Sequence, residues 1–228
     1  MTRISTNLTG KSLPDKIMYH TVRTILLVFC RSWCRMQVKG RENFPTDEPF
    51  IMAPTHRSII DTPVSSGVYT RRMRFMGADK WWSNKAFGKL LTALGGFPVT
   101  RGTADREALR RCIAVLDGGE PLVMFPEGER KSGPVVQPLF EGAAYVAMKT
   151  GVPIVPVAIG GSERVMPKGT KFIYPRKMYV IVGKPLRVPV LAEEAGSKGQ
   201  RIAAKQLTIE LHAELQRLFD LAQERASN

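Results

Sequence analysis

Three runs of uninterrupted apolar residues constrain this chain more than anything else in it. They cover residues 49–53, 121–126 and 152–159. Each is bounded by proline or glycine, and none alternates apolar with polar residues. Strands buried on both faces read this way, and they belong to parallel sheets covered by helices. Residues 74–78 and 178–182 read as further strands, and 96–102 as a short apolar segment flanked by glycine. Between them come helical stretches: 63–69, a piece reaching Leu94, 104–117 closed by Gly118-Gly119, and 140–150 stopped by Gly151. From about Gln200 the series Ala204, Leu207, Leu211, Leu215, Leu218, Ala222 predicts a long terminal amphipathic helix. The prolines at 153 and 156 predict irregular pairing of their strand. Strands alternating with helices predict an α/β fold, a single domain with a mainly parallel mixed sheet flanked by helices.

Ahead of that domain, taken as 37–228, lies an amphipathic helical segment within 1–36. A helix is predicted over 14–36. Met18, Val22, Ile25, Leu26, Phe29, Trp33 and Met36 fall on one stripe, with Lys16, His20, Arg23 and Arg31 roughly opposite. The uncharged run between Arg23 and Arg31 is seven residues, about 10 Å of helix against a hydrocarbon core of about 30 Å. Such a helix cannot span a bilayer. It has two readings: packed on the core, or lying in a membrane interface with its cations at the headgroups. It lacks the small-residue cleavage site of a secretory signal.

Charge narrows the partners. Over 228 residues the chain carries 34 Lys and Arg against 20 Asp and Glu, a net charge of +14. Anionic partners are expected: a membrane surface, nucleic acid or phosphorylated substrates. Trp81-Trp82 stand side by side instead of being interleaved with cations, which disfavours single-stranded nucleic acid. Cys30, Cys34 and Cys112 have neither framework nor metal-site spacing, which fits a reducing compartment.

The chemistry-bearing residues follow the strands. His56 comes directly after the first apolar run, and Asp61 five positions later. On one helix, residues five apart point about 140° from each other. The two can meet only where a loop runs into a helix start. Asp61-Thr62-Pro63 resembles such a start, so Asp61 has two readings: a helix cap, or the partner that fixes the His56 tautomer and leaves its other nitrogen as a general base. If the strands are parallel neighbours, the His56 loop, the Arg101 loop and the 127–130 loop converge at one sheet edge. Arg101 and Arg130 then offer phosphate-binding forks, Gly128 a close backbone N–H, and Glu127 an acceptor for hydroxyls. Ser58 is a weak nucleophile candidate, so direct attack by a hydroxyl is favoured over a covalent intermediate.

In this order the blocks resemble the glycerolipid acyltransferase family, of the 1-acylglycerol-3-phosphate O-acyltransferase type. His56-Arg57-Ser58-Ile59-Ile60-Asp61 resembles its H-x-x-x-x-D block. Gly96-Phe97-Pro98-Val99-Thr100-Arg101-Gly102 resembles its second block, Phe125-Pro126-Glu127-Gly128-Glu129-Arg130 its F-P-E-G-T-R block, and Val152-Pro153-Ile154-Val155-Pro156-Val157 its V-P-I-x-P-V block. A lone H-x-x-x-x-D is weak, whereas the ordered four are specific. The resemblance implies that His56 deprotonates a glycerol hydroxyl and Asp61 orients it. The hydroxyl attacks the thioester of acyl-CoA or acyl-carrier protein, making phosphatidic acid. Arg101, Glu127, Gly128 and Arg130 bind the glycerol phosphate, and Lys80 loosely fits a lysine that joins them. No cofactor or metal is implied. The implied location is peripheral or monotopic, at the cytoplasmic face of the cell membrane, on anionic lipid and without nucleic acid.

Two residues depart from the pattern. Thr55 stands where the family usually has asparagine, and Glu129 where it usually has threonine. A carboxylate at 129 opposes a phosphate unless a neighbouring cation neutralises it. Acceptor identity is therefore open between lysophosphatidate, glycerol 3-phosphate and another lysophospholipid. A non-catalytic basic module would not need His56 and Asp61, and a serine hydrolase would need a G-x-S-x-G elbow that is missing.

Overall fold

The computed structural model describes residues 12–99, 106–189 and 196–228. Among these, seven strands form one sheet in the order β1-β7-β6-β2-β5-β3-β4. At its centre are β2 (Ile51–Pro54) and β6 (Ile154–Gly160), every residue of which is buried. These are two of the continuous apolar runs, and burial on both faces is why they lack alternation. Beside β2 lie β5 (Leu122–Val123), then β3 (Arg74–Ala78) and β4 (Gly96–Val99). All five run parallel. On the far side of β6, β7 (Tyr179–Val182) is antiparallel and carries β1 (Gln37–Lys39) along its outer edge. The sheet is thus mainly parallel and mixed, as expected.

Pro156 explains where the pairing of β6 changes. The antiparallel register with β7 starts at Val157 opposite Val182. Before it, Gly183 N–H reaches Pro156 O at 2.9 Å and Ile154 forms an isolated bridge with Leu186. A residue without an N–H interrupts the ladder there.

Helices cover both faces. On one side α4 (Arg106–Asp117), α5 (Gly142–Thr150) and α7 (Gly196–Ser227) bury Cys112, Val146, Leu207, Leu211, Leu215 and Phe219. All six residues that predicted the terminal helix are buried. α7 comes so close to β6 that a Cβ on Gly160 would collide with the Ala222 carbonyl. On the other side are α1 (Leu13–Ser32), α2 (Asp61–Val68) and α3 (Lys85–Ala93). The short α6 (Ser162–Val165) follows β6.

α1 is built into the core on this face through Cys30, Leu27 and Phe29, with Cys34 and Met36 following it, and Tyr19 is buried as well. The Tyr19 hydroxyl accepts the Met73 N–H at 3.1 Å, and burial pushes its phenol up from the ordinary value. The helix ends at Ser32, four residues before Met36, and its faces differ from the predicted ones. Arg23, assigned to a headgroup-facing side, points inward. Its guanidinium caps the C-terminal end of α2, donating to Ser66 O at 3.0 Å and Tyr69 O at 2.5 Å. Ile25, assigned to the stripe, is 62% exposed with Leu13, Ile17 and Val28. Periodicity identifies a helix but cannot choose between two apolar faces. The carbonyls at the end of α2 need donors, and Arg23 is within reach of them.

Replacing Arg23 with alanine is expected to lower unfolding free energy by about 1.5–3 kcal/mol, the range for hydrogen bonds to a charged group. Urea unfolding measures it, and an unchanged midpoint would show that the cap contributes nothing.

Candidate active site

The carboxyl ends of β2, β5, β3 and β4 lie side by side at one edge of the sheet, so the loops that follow them meet. β2 delivers Thr55 and His56. Thr55 is fully buried, and its Oγ1 accepts the Ile159 N–H at 3.0 Å. It pins the end of β2 to β6 just before the histidine.

His56 Nδ1 lies 3.1 Å from Asp61 Oδ2. The same oxygen accepts the backbone N–H of Arg57 at 2.6 Å and of Ser58 at 2.7 Å. α2 begins at Asp61 itself, so the carboxylate sits in the first helical turn and reaches back over its own loop. Of its two readings the cap is not the one observed: Ile60 occupies the cap position without a side-chain bond, and the Asp61 carboxylate instead orders the preceding loop and faces the imidazole. A carboxylate only accepts, so the proton between them belongs to Nδ1 and the Nε2 lone pair is free. Nε2 has no hydrogen-bond partner among the described residues. The ring stacks on Phe125 at 4.0 Å between centroids, which holds its plane.

Behind this pair is a closed ionic hub. Arg57 and Glu127 are 1% and 0% exposed. Arg57 Nη1 donates to both Glu127 oxygens, at 2.7 and 3.0 Å. Its remaining N–H groups reach Gly133 O, His56 O and Val135 O, and its face lies 4.8 Å from the centroid of Phe219 on α7. Glu127 Oε1 also accepts the His56 N–H at 3.2 Å, and Oε2 the Gln137 N–H at 3.0 Å. Lys131 N–H closes the ring on His56 O at 2.9 Å.

Two expectations change here. Glu127 was expected to contact substrate, but its carboxylate points inward with both oxygens engaged by protein donors. Gly128 was expected to present its N–H to an anion. That N–H instead closes a turn on Phe125 O at 3.0 Å. The glycine is required for the turn: its φ is +72°, and a Cβ would lie 2.6 Å from the Phe140 ring. In both cases the polar group is satisfied by the loop's own architecture, which spacing alone cannot show.

The rest of the rim remains open. Arg130 is half-buried, and among the described residues its guanidinium has no hydrogen-bond or ion-pair partner. Glu129 is neutralised by Lys131 at 2.8 Å, one of the ways out foreseen for this unusual carboxylate. Lys80 lies exposed in the turn Asp79–Trp82 after β3, its ammonium 5.7 Å from the Trp81 ring. Arg101 follows β4 and lies outside the described residues. Ser58 is no nucleophile here, since its Oγ donates to Met166 O at 2.7 Å. Sequence reasoning missed Arg57. Its only signal was an arginine directly after His56 in the loop that follows one apolar run, with Glu127 in the loop that follows another.

Fold and rim together define an α/β domain with a carboxylate-oriented histidine beside partly exposed cations. Comparison with known proteins supplies the family. The family model described as Acyltransferase matches residues 35–160. The 1-acyl-sn-glycerol-3-phosphate acyltransferase of Bacillus subtilis is 31% identical over 152 residues, covering 66% of this chain and 73% of that protein. The chloroplastic 1-acyl-sn-glycerol-3-phosphate acyltransferase LPAT1 of Arabidopsis thaliana is 30% identical over 72% of this chain, which spans 48% of the plant protein. The crystal structure of the 1-acyl-sn-glycerophosphate acyltransferase PlsC from Thermotoga maritima superimposes with a TM-score of 0.65 at 26% identity, covering 89% of this chain and 85% of that one. The chain belongs to the acyltransferase family.

Arg57→Ala is expected to destabilise the fold by about 3–5 kcal/mol, because it leaves the Glu127 charge buried and alone. Thermal and urea unfolding test this. A loss below about 1 kcal/mol, the level of an exposed pair, would mean that the hub is not what joins the two loops.

Proposed function

We propose that this enzyme transfers a fatty acyl group to the free hydroxyl of a lysophosphatidate, yielding phosphatidic acid. The observation that carries the reading is the oriented His56–Asp61 pair on the same rim as Arg130, whose guanidinium has no partner among the described residues. The names of the relatives point to the same acceptor. The acceptor phosphate engages Arg130, with Arg101 and Lys80 contributing from the neighbouring loops. His56 Nε2 takes the proton from the acceptor hydroxyl as its oxygen attacks the thioester carbonyl of acyl-CoA or acyl-carrier protein. The carbon–sulfur bond breaks, the departing thiolate receives that proton from the imidazolium, and the new ester remains on the glycerol. Asp61 stabilises the transient imidazolium and holds the tautomer that starts the cycle.

No helix among the described residues is long and apolar enough to cross a membrane. The reading therefore includes peripheral attachment, at the cytoplasmic face where acyl thioesters are made, through the outward apolar residues Leu13, Ile17, Ile25 and Val28 of α1.

His56→Gln keeps the ring's approximate volume over Phe125 and is expected to cut kcat by about 10²–10⁴-fold with an unchanged melting temperature. Retention of most activity would remove His56 from the chemistry. Arg130→Ala is expected to lower kcat/KM roughly 10- to 150-fold for the phosphate-bearing acceptor. It should barely affect a monoacylglycerol lacking the phosphate, and donor saturation should not change. Equal losses on both acceptors would show that Arg130 does not read the phosphate. A matrix of lysophosphatidate, glycerol 3-phosphate and other lysophospholipids against both donors, with positional analysis of the product, decides the substrate. Turnover restricted to an acceptor other than lysophosphatidate would overturn the reading.

A further inference from the structure

The segment linking α6 to β7 carries none of the four sequence blocks, yet it concentrates cations and exposed aromatic rings. Residues 164–177 hold five cations, Arg164, Lys168, Lys171, Arg176 and Lys177, and no carboxylate. Among the described residues, none of these five side chains has a hydrogen-bond or ion-pair partner. Between them two aromatic rings stand in solvent, Phe172 at 58% and Tyr174 at 39% exposure. They contact each other edge to face at 4.8 Å. Trp33, just past the end of α1, is 43% exposed, and its indole N–H donates to Ile173 O at 2.8 Å. Three aromatic side chains thus share one patch with cations that have no partner among the described residues.

This patch is held in place. Tyr174 N–H donates to Val165 O at 2.8 Å, and Arg176 N–H to Tyr174 O at 2.8 Å. Thr170 Oγ1 turns back to Pro167 O at 3.1 Å. Ile173 packs against the core between the two exposed rings. The backbone therefore directs Phe172 and Tyr174 outward while turning the half-buried Ile173 between them towards the core. Exposed apolar patches bordered by cations mark interaction surfaces. Aromatic rings with lysine and arginine suit the headgroup layer of a bilayer, where each ring has an apolar body and each cation a phosphate. An acidic protein would match the cations but would not account for three aromatic side chains pointing outward.

We infer that residues 166–177, with Trp33, form a docking element for an anionic lipid surface. This deepens the peripheral attachment proposed above and locates it at the catalytic rim. β6 runs parallel to β2, so the segment leaves the sheet at the same edge as His56. The two are tied by the Ser58 hydroxyl on Met166 O at 2.7 Å. Seating the patch on a bilayer presents the rim to the headgroup layer, and a lysophospholipid reaches His56 without leaving the interface.

The test uses the full chain and sedimentation with vesicles of phosphatidylcholine, with and without phosphatidylglycerol. Phe172→Ser with Tyr174→Ser is expected to weaken partitioning onto both compositions. Lys168→Gln with Lys171→Gln is expected to weaken it only on the anionic vesicles, by roughly tenfold or more. Melting temperatures and turnover of a monomeric short-chain acceptor should match the unaltered protein. Ile17→Ser with Ile25→Ser provides the comparison on α1. If both loop variants partition like the unaltered chain, the inference is wrong. Unchanged vesicle binding with selective loss of turnover from acyl-carrier protein would also overturn it, and would assign the patch to an acidic protein. Loss of vesicle binding in a chain that acylates no lysophospholipid would uphold the docking element and reject the proposed reaction.

Discussion

The Arg57–Glu127 pair is the interaction on which the rest of the site depends. An isolated charge in this interior would be unaffordable, and even a buried pair recovers its desolvation cost only when every remaining hydrogen-bonding group is matched. Here the match is made largely by backbone. Carbonyls of residues 56, 133 and 135 face Arg57, and amides of residues 56 and 137 face Glu127. The pair therefore does more than join two side chains. It sets the path of the loop after β2 relative to the loop after β5, and Phe219 extends that constraint to α7. With the path set, the amides of residues 57 and 58 converge on Asp61, and Asp61 faces His56.

Two groups of cations in this strongly basic chain do opposite things. Arg23, Arg57 and Arg74 are turned inward, to the end of α2, to Glu127 and to Glu120 respectively. Their guanidinium groups are engaged by the architecture itself. Arg130, Lys168, Lys171 and Arg176 lie at or near the carboxyl edge of the sheet without partners among the described residues. Their positive potential is concentrated where a phosphorylated lipid would arrive. A net charge alone cannot separate these roles, because both populations count equally towards it.

Much of the fold was legible because it follows from local rules. Continuous apolar runs predicted β2 and β6, and an apolar face at helical spacing predicted α7. The five-residue spacing of His56 and Asp61 required a loop entering a helix, and the chain folds so. Where local rules were silent, the reading stopped short. β1 has only three residues with one half-buried side chain, too short to carry a pattern. The run at 121–126 gives a strand of only two residues, Leu122 and Val123, although Pro121 and Met124 on either side still bond to the neighbouring strands.

Sequence by itself determined the layered α/β architecture, the ordered blocks and the placement of His56 directly after a central strand. These follow from periodicity, turn chemistry and spacing, which act within a few residues. Only the tertiary structure decided which charges face inward. Glu127 and Arg57 are 70 residues apart, and Arg23 lies 43 from its first carbonyl partner on α2. Nothing in either local stretch says whether a polar side chain will be satisfied by protein or by ligand. That is settled by which unpaired donors and acceptors the fold leaves within reach, because buried polar groups must find partners wherever the chain brings them.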